Sequence, residues 1–527
     1  MTDLTNQPST HHAPRTTLNS PLILGLIAGL IAILGGLIVG FGGPLAGVAF
    51  ILGVIAVIAV LRDIEIGFWG VIGVVCLLPF ATLPVDIGLT PTFLDLALGA
   101  VVGIWVLGLV TGNQRTVITA PITLPLVIFI IVAVFAFIFG LTNGPLTSNL
   151  LRHFAELILS LGFVLIVVDY CRSWERLERL VKVLMLAAAA AAALGIFLWL
   201  LPEDSTNTLL NLLTRLGYPS GFVIRYIEEN PELAERAIGT SVDPNSFGGL
   251  LLMMGALVGP QLLAARSLFK KWQVWGIFGL IFLALVLTFS RGAMAGLMAG
   301  LFFILVVRYR RWLPALLLLG VLGVGLIFIL PEETPLVGDY VSRAVAGLEG
   351  EDLATQMRVG EYRDAVELIG RYPVFGVGFA GSPDLDLYLG VAMVYLTIGQ
   401  QRGVLGLLAF FAVMGTLFAY AFFNRHGFKT DERRDPIWLG LHAAVIGGLT
   451  AGLFDHYLFN IDFHHAVTLF WLLVGLAVAA TRLGTPGNSN PSSYEFLSTV
   501  GGRDKHRLYQ SRAGVAGFQG RAVAGDE

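Results

Sequence analysis

Residues 22–41 read LILGLIAGLIAILGGLIVGF, an uninterrupted apolar run of the length that a lipid bilayer requires. A hydrocarbon core about 30 Å thick is crossed by roughly 20 helical residues that rise about 1.5 Å each. Backbone N–H and C=O groups find no water there, so a spanning segment must be a helix or a strand of a closed barrel. The length and continuous apolarity of the run predict a helix that is retained as a membrane anchor.

Similar runs recur along the whole chain and predict an all-α, polytopic transmembrane helical bundle of about 12–14 spans. The composition agrees, because 56% of the 527 residues are hydrophobic and only 13% are charged, whereas soluble domains carry roughly a quarter charged residues. A water-soluble fold is therefore excluded, and no basic block indicates nucleic acid. The predicted runs are 22–41, 44–61, 66–84, 93–111, 121–141, 154–169, 183–201, 247–265, 273–290, 292–307, 313–330, 403–423, 437–454 and 464–482.

Lys and Arg gather in every second connection between these runs, as the positive-inside rule expects of cytoplasmic loops. The rule predicts a multi-pass cell-membrane protein with both termini in the cytoplasm and two long outward loops, 202–246 and 331–401. Residues 1–20 then form a cytoplasmic tail, 21–484 the transmembrane domain, and 485–527 a disordered cytoplasmic tail rich in Gly, Ser, Pro and charge. The basic residues are Arg62, Arg115, Arg172, Arg176, Arg179, Lys182, Arg266, Lys270, Lys271, Arg308, Arg310, Arg311, Arg425, Lys429, Arg433 and Arg434.

The second long loop contains two predicted helices. Residues 358–369 repeat apolar side chains at helical spacing until Arg371-Tyr372-Pro373 ends the pattern, which predicts an amphipathic helix at the membrane surface. Residues 385–401 are apolar but include Tyr and Gln, so we expect a helix half inside the bilayer.

Arginine on the outward side runs against the positive-inside trend, so each such residue calls for a local explanation. Arg291 is the sharpest case, because residues 273–307 are too long for one span and Ser290-Arg291-Gly292 is the polar break. A guanidinium held in that turn can bind a phosphate with two parallel hydrogen bonds. The alternative is an arginine that reaches lipid headgroups without specificity.

Arg236 lies shortly before Asp243-Pro244-Asn245, which reads as the entry to a helix. An Asp or Asn there caps backbone donors, and the helix N-terminus attracts an anion, although a cap alone also explains the pattern. Arg358 and Arg363 lie on the predicted amphipathic helix, where a solvated charged face is the alternative explanation.

Two groups of acidic and imidazole side chains are further candidates. Asp384 and Asp386 form a carboxylate pair of the kind that can hold Mg²⁺. The last outward connection contains five more, which we interpret as polar residues at a helix rim because their spacing fits no zinc pattern. We assign no metal and no cofactor from the sequence. The five are Asp455, His456, Asp462, His464 and His465.

These features resemble the O-antigen ligase and polymerase superfamily of bacterial membrane glycan enzymes. The resemblance covers roughly residues 230–480, in the order that the family shows. It rests on Arg236 with Gly239 and Asp243-Pro244-Asn245, on Thr288-Phe289-Ser290-Arg291-Gly292, on Arg358 to Gly378, and on Tyr395-Leu396 with Gly403 and Gly406.

The resemblance implies transfer of a glycan from a polyprenyl-diphosphate donor to a glycan or lipid acceptor at the outer membrane face. The reaction would be inverting, would use no nucleotide sugar, and would have arginines bind the diphosphate leaving group. Arg236 and Arg291 match the family's functional arginines. Asn245, Arg358, Arg363 and Tyr395 are expected to bind substrate.

The chain departs from the family pattern before the Tyr395-Leu396 pair. The family usually has His-Asn about three residues earlier, with the His serving the acceptor, and here Ala392 and Met393 occupy those positions. Either Asp384, Asp386 or His456 takes that role, or the activity differs or is lost. We assign Asp386 as the third catalytic residue.

Two other functions fit a bundle of this kind. A transporter or flippase for a lipid-linked or small solute would show internal repeats and buried ionisable residues at mid-membrane, of which the sequence shows little. A noncatalytic member that keeps the fold is suggested by the missing His.

Overall fold

The computed structural model describes residues 53–83, 90–112, 116–312, 353–384, 386–387, 390–428 and 431–485, with scattered single positions between 29 and 51 and position 314. The predicted run 22–41, the run 313–330 and the C-terminal tail from residue 486 fall mainly or wholly outside these ranges. Most of the described chain is helical, and its sheet is a two-stranded antiparallel ribbon.

The order of elements follows the predicted succession of spans. The ribbon consists of β1 Arg225–Tyr226 and β2 Glu235–Arg236, between α7 and α8. The described helices are α1 Gly53–Arg62, α2 Ile64–Leu77, α3 Phe93–Val110, α4 Thr123–Gly140, α5 Ser148–Tyr170, α6 Trp174–Leu200, α7 Glu203–Leu212, α8 Pro244–Leu263, α9 Lys271–Leu287, α10 Arg291–Arg308, α11 Leu353–Arg371, α12 Val394–Asn424, α13 Arg434–Ala451 and α14 His464–Gly484.

The protein is an all-α polytopic membrane protein. Among the described residues, eight helices are long and apolar enough to cross a bilayer: α3, α4, α5, α6, α8, α10, α12 and α14. The helices α1, α2 and α9 are shorter but also apolar. The predicted total of about 12–14 spans also counts runs outside the described residues, so that total stays a prediction.

The centre of the bundle is formed by α8 and α14, whose apolar windows are 89% and 94% buried inside the protein. The helix α8 packs against α6, α9, α10, α13 and α14. The helices α10 and α13 approach closely because Gly296 faces Gly447 and leaves no room for a side chain between the two backbones. Small residues at such contacts are typical of membrane helix packing.

Two of the predicted helix boundaries are confirmed. The chain turns between α9 and α10 at the predicted break, and the Ser290 side chain caps α10 by accepting a hydrogen bond from Ala293 N. The helix α8 begins at Pro244, and the Asp243 carboxylate caps it by accepting from Ser246 N at 2.7 Å. Both turns therefore fix the positions of the arginines beside them.

The second long loop differs in part from expectation. The amphipathic helix is confirmed as α11, and it ends at Arg371, immediately before Tyr372-Pro373. The helix expected from residue 385 begins only at Val394, because the described residues from 382 to 393 are irregular. It then continues into the next span as α12, with a break at Gly403.

The break in α12 at Gly403 predicts that replacing this glycine by alanine strongly lowers the stability of the protein. Gly403 has φ +65°, and a Cβ there would lie 2.6 Å from Pro373 O. Gly403→Ala should therefore destabilise the protein by roughly 1–3 kcal/mol through backbone strain, with steric overlap added. Thermal unfolding in detergent measures the effect. Gly415→Ala is the matched control, because a Cβ on that α12 glycine meets no atom within 4 Å; equal melting temperatures would contradict this account of the break.

Candidate functional site

Arg236 is held by backbone and side-chain contacts from three parts of the chain. It ends β2, where it pairs with Arg225 of β1. Its Nε donates to Thr288 O at 2.9 Å and one terminal nitrogen donates to Asn245 Oδ1 at 2.8 Å. The next residue, Ala237, donates its backbone N–H to Leu287 O at 2.8 Å. The guanidinium is thereby oriented by the end of α9 and the start of α8.

Arg291 is the first residue of α10 and is partly exposed to a cavity. The turn that delivers it is strained, because Phe289 has φ +52°, and Val242, at the entry to α8, has φ +61°. Positive φ at a bulky or β-branched residue costs on the order of 1–3 kcal/mol and tends to occur at functional sites. Both strained residues flank the same group of arginines.

Arg236, Arg291 and Arg358 line one cavity of about 200 Å³. The three side chains come from β2, from the start of α10 and from α11, which are distant in sequence. Glu228, Glu229 and Asp455 also line the cavity, so its formal charges balance. The other lining residues are Tyr226, Asn245, Phe289, Ser290, Gly292, Ala293, Phe454 and Tyr457.

The cavity suits an anionic group of limited size. Its volume is below the roughly 300 Å³ at which pockets for whole drug-sized ligands begin, so it fits part of a larger substrate. Arginines bind phosphate oxygens with paired hydrogen bonds, and the N-terminus of α10 adds its positive dipole end. The arrangement can hold a diphosphate while the remainder of a lipid or glycan lies outside.

Asp455 and His456 form an acid–imidazole pair at the cavity. Asp455 lines it, and His456 Nδ1 lies 3.3 Å from Asp455 Oδ1. Burial alone would lower the pKa of His456, but the Asp455 carboxylate, with Asp243 and Glu361 nearby, raises that pKa above its ordinary value. A carboxylate at the cavity wall can accept a proton from a hydroxyl group within hydrogen-bond reach.

The helix α11 packs beside this pair and contacts the segment where the family has His-Asn. The Glu361 carboxylate accepts a hydrogen bond from Ala392 N at 3.0 Å, and the Tyr362 hydroxyl donates to Ala392 O at 3.4 Å. Arg358, one turn earlier on α11, lines the cavity. The Ala392 side chain supplies no proton acceptor.

Four of the predicted site residues lie together, and three lie elsewhere. Arg236, Arg291, Asn245 and Arg358 line the cavity. Arg363 is exposed on α11, and the Tyr395 hydroxyl donates to Leu449 O at 2.8 Å, which links α12 to α13. Arg363 therefore lies at the surface and Tyr395 makes a packing contact, and neither lines the cavity.

Asp386 also lies away from the cavity wall. Its carboxylate is 72% exposed and 4.0 Å from Arg371, while Asp384 lies 3.1 Å from the same guanidinium. Arg371 therefore forms ion pairs with both carboxylates, those of Asp384 and Asp386. Asp455 lines the cavity together with Glu228 and Glu229, whereas Asp386 does not.

Sequence reasoning places Asp455 among the polar residues of a helix rim and names His456 as an alternative to Asp384 and Asp386 for the missing family His. An acid and an imidazole adjacent in a short connection that is predicted to face outward are the available signal. Their proximity to Arg236 depends on how α8, α10 and α13 pack together, which no local pattern encodes.

Comparison with known proteins agrees with this geometry. Residues 276–411 match the family model described as O-antigen ligase. The resemblance to the O-antigen ligase superfamily is confirmed. The O-antigen ligase match begins within α9 and ends within α12, so it contains Arg291 and Arg358, while Arg236 and Asp455 lie outside it. No curated protein matches the chain.

Proposed function

We propose that the protein transfers or polymerises glycans from a polyprenyl-diphosphate donor at the outer face of the cytoplasmic membrane. The match of residues 276–411 to the O-antigen ligase family model supports glycan transfer in the membrane as the broad activity. The observation that carries the finer proposal is the single cavity lined by Arg236, Arg291 and Arg358. The three guanidinium groups can stabilise a diphosphate leaving group, and the Asp455 carboxylate can serve an attacking hydroxyl.

In the proposed reaction, an acceptor hydroxyl attacks the anomeric carbon of the donor glycan from the side opposite the diphosphate. A new C–O bond forms, the bond from the anomeric carbon to the diphosphate oxygen breaks, and the configuration inverts. The hydroxyl proton passes to Asp455, in the way that the base carboxylate of an inverting glycosidase accepts a proton. The arginines stabilise the negative charge that develops on the diphosphate, so the cavity needs no metal for this step.

The proposed outward orientation rests on the position of the cavity relative to the basic loops. Arg291 begins α10, and Arg308 ends it, where Arg308 Nε donates to Asp435 Oδ2 at 2.8 Å. An α-helix of 18 residues is about 27 Å long. The cavity therefore lies across the membrane from connections rich in Lys and Arg, which the positive-inside rule assigns to the cytoplasm. Both termini are cytoplasmic in this proposal.

A noncatalytic role is the second candidate, because Ala392 and Met393 replace the family's His-Asn. Purified protein in liposomes, given a panel of polyprenyl-diphosphate glycans and glycan or lipid acceptors, separates the two. We expect release of polyprenyl diphosphate with formation of an inverted linkage, and no product from nucleotide sugars. Folded protein that turns over none of the lipid-linked donors would support the noncatalytic role, and turnover of nucleotide sugars would contradict the proposed donor.

Asn245 offers a test of how Arg236 is positioned. Asn245→Ala removes the acceptor of the 2.8 Å hydrogen bond from the guanidinium but leaves its charge. We expect transfer to fall about tenfold, because one hydrogen bond to a charged group contributes roughly 1.5–3 kcal/mol at most. Measured with saturating donor, the loss should exceed that of Asn211→Ala, a control that removes an amide from the same outward loop away from the cavity wall. Equal rates in the two variants would remove this role from Asn245.

A further inference from the structure

A second group of ionisable side chains lies apart from the cavity lining, where three helices meet. Asp95 is in the first turn of α3, Glu156 is within α5, and His464 begins α14. His464 Nδ1 lies 3.7 Å from Asp95 Oδ1 and 3.8 Å from Glu156 Oε2. One ligating atom from each residue can be chosen so that all three lie within 4.8 Å of one another.

Two of these side chains are buried and Asp95 is partly buried, and the cluster lacks the hydrogen-bond partners that burial normally requires. His464 is 8% exposed and Glu156 is 3% exposed. Within the described part of the chain, hydrogen-bond partners are absent for both ring nitrogens of His464, for Asp95 Oδ1 and for Glu156 Oε1. Buried polar atoms are nearly always satisfied, and each exception costs on the order of 1–3 kcal/mol. Two neighbouring carboxylates raise that cost through their mutual repulsion.

The side chains next to the cluster are engaged elsewhere. Asp95 Oδ2 accepts a hydrogen bond from Thr92 N at 2.7 Å, which turns Oδ1 toward His464. Arg152 lies 3.9 Å from Glu156 Oε1, but its guanidinium donates to Thr90 O at 2.7 Å and to Asn149 Oδ1 at 3.0 Å. Arg152 therefore does not complete the hydrogen bonding of the cluster.

The separations match those between ligands of one metal ion. Distances of 3.7 and 3.8 Å are too long for hydrogen bonds. Ligands about 2.0–2.2 Å from a tetrahedral ion lie about 3.4 Å apart, so a small contraction would close the site. One imidazole with two carboxylates suits Zn²⁺ or Mn²⁺ better than Ca²⁺ or Mg²⁺, which prefer oxygen ligands alone.

The geometry points to a binding site for one divalent first-row metal ion, of the Zn²⁺ or Mn²⁺ class, formed by Asp95, Glu156 and His464. The ion joins α3, α5 and α14 and neutralises the two carboxylates. It also fixes one end of the connection 452–463, whose other end carries Asp455 at the cavity. The neighbouring His465 contacts Ser246 Oγ on α8 at 2.9 Å, which links the same end of α14 to the start of α8. The role is structural and independent of the proposed transfer reaction.

The test measures metal binding to the purified full chain in detergent, without any glycan. Chelator-treated protein is incubated with Zn²⁺, desalted and analysed for bound zinc by mass spectrometry, and Co²⁺ replaces Zn²⁺ for absorption spectroscopy. We expect about one ion per chain, a higher melting temperature with Zn²⁺, and visible Co²⁺ bands typical of nitrogen and oxygen ligands. His464→Ala should reduce bound zinc at least tenfold and abolish the temperature shift.

His426→Ala is the matched control, because it removes an exposed imidazole distant in sequence from the cluster and should retain the ion. Glu156→Gln, which keeps the side-chain volume, serves as a second variant if His464→Ala fails to fold. Wild-type protein that binds no more zinc than a tenth of an ion per chain would overturn the proposal. Equal zinc in wild type and in a folded His464→Ala or Glu156→Gln variant would do the same.

Discussion

Arg291→Ala should lower the rate of glycan transfer about 10²–10³-fold while leaving the protein folded. Arg291 is at the first position of α10 and lines the cavity, where it would contact the diphosphate as negative charge develops on it. Removing one fixed donor from such a charge costs roughly 2.7–4 kcal/mol of transition-state stabilisation. The measurement is release of polyprenyl diphosphate at saturating donor, because a loss at saturation reports the chemical step more than binding.

Arg291→Lys refines the test, because lysine keeps the charge but lacks the planar pair of donors. We expect this variant to retain more activity than the alanine variant and less than wild type. Arg215→Ala is the matched control, since Arg215 is exposed and lies in the same loop, 202–246, as Arg236, outside the cavity lining. If the Arg291 and Arg215 alanine variants lose equal activity, the diphosphate assignment fails.

Asp455→Asn should lower transfer about 10²–10⁴-fold, the range typical of losing a general base. Asparagine keeps the size of the side chain and can still accept the backbone hydrogen bond from His456 N, which is 2.7 Å long in the native protein. The carboxylate charge that would accept the hydroxyl proton is lost. The rate should be compared at saturating donor and acceptor, with thermal unfolding measured in parallel.

Asp386→Asn gives the direct comparison between two assignments. The sequence-based assignment predicts the larger loss for Asp386, whereas the geometry predicts it for Asp455, because Asp455, unlike Asp386, lines the cavity with Arg236 and Arg291. A larger loss of transfer activity in Asp386→Asn would instead assign the general base to Asp386 in the second long loop. His456→Gln should produce an intermediate loss, since His456 acts through its contact with Asp455.

Membrane class and most helix boundaries in the described chain were predictable, because both depend on local physical chemistry. Apolar length determines whether a segment can cross a bilayer, and polar breaks such as Ser290-Arg291-Gly292 determine where helices end. The cap at Asp243 and the stop after Arg371 follow similarly from short-range hydrogen bonding and from Pro373. These features involve residues within one helical turn of each other.

The composition of the cavity was only partly predictable, because it depends on packing between distant segments. Arg236 and Arg291 stood out because arginine is unusual on the predicted outward side. The paired-carboxylate pattern of Asp384 and Asp386 favours Asp386, and nothing in the sequence indicates its proximity to Arg371. The irregular backbone before Val394 was missed because its apolar residues share the composition of a helix.

The burial of α8 constrains how this protein is made. Its mean hydropathy of 1.5 is the lowest among the eight candidate spans, and it has almost no surface left for lipid. Translation proceeds from the N-terminus, so α8 is released before α10 and α13 exist to cover it. A nascent chain that stops before α10 therefore leaves small and polar faces of α8 against acyl chains, and we expect such truncated products to be targets for membrane quality control.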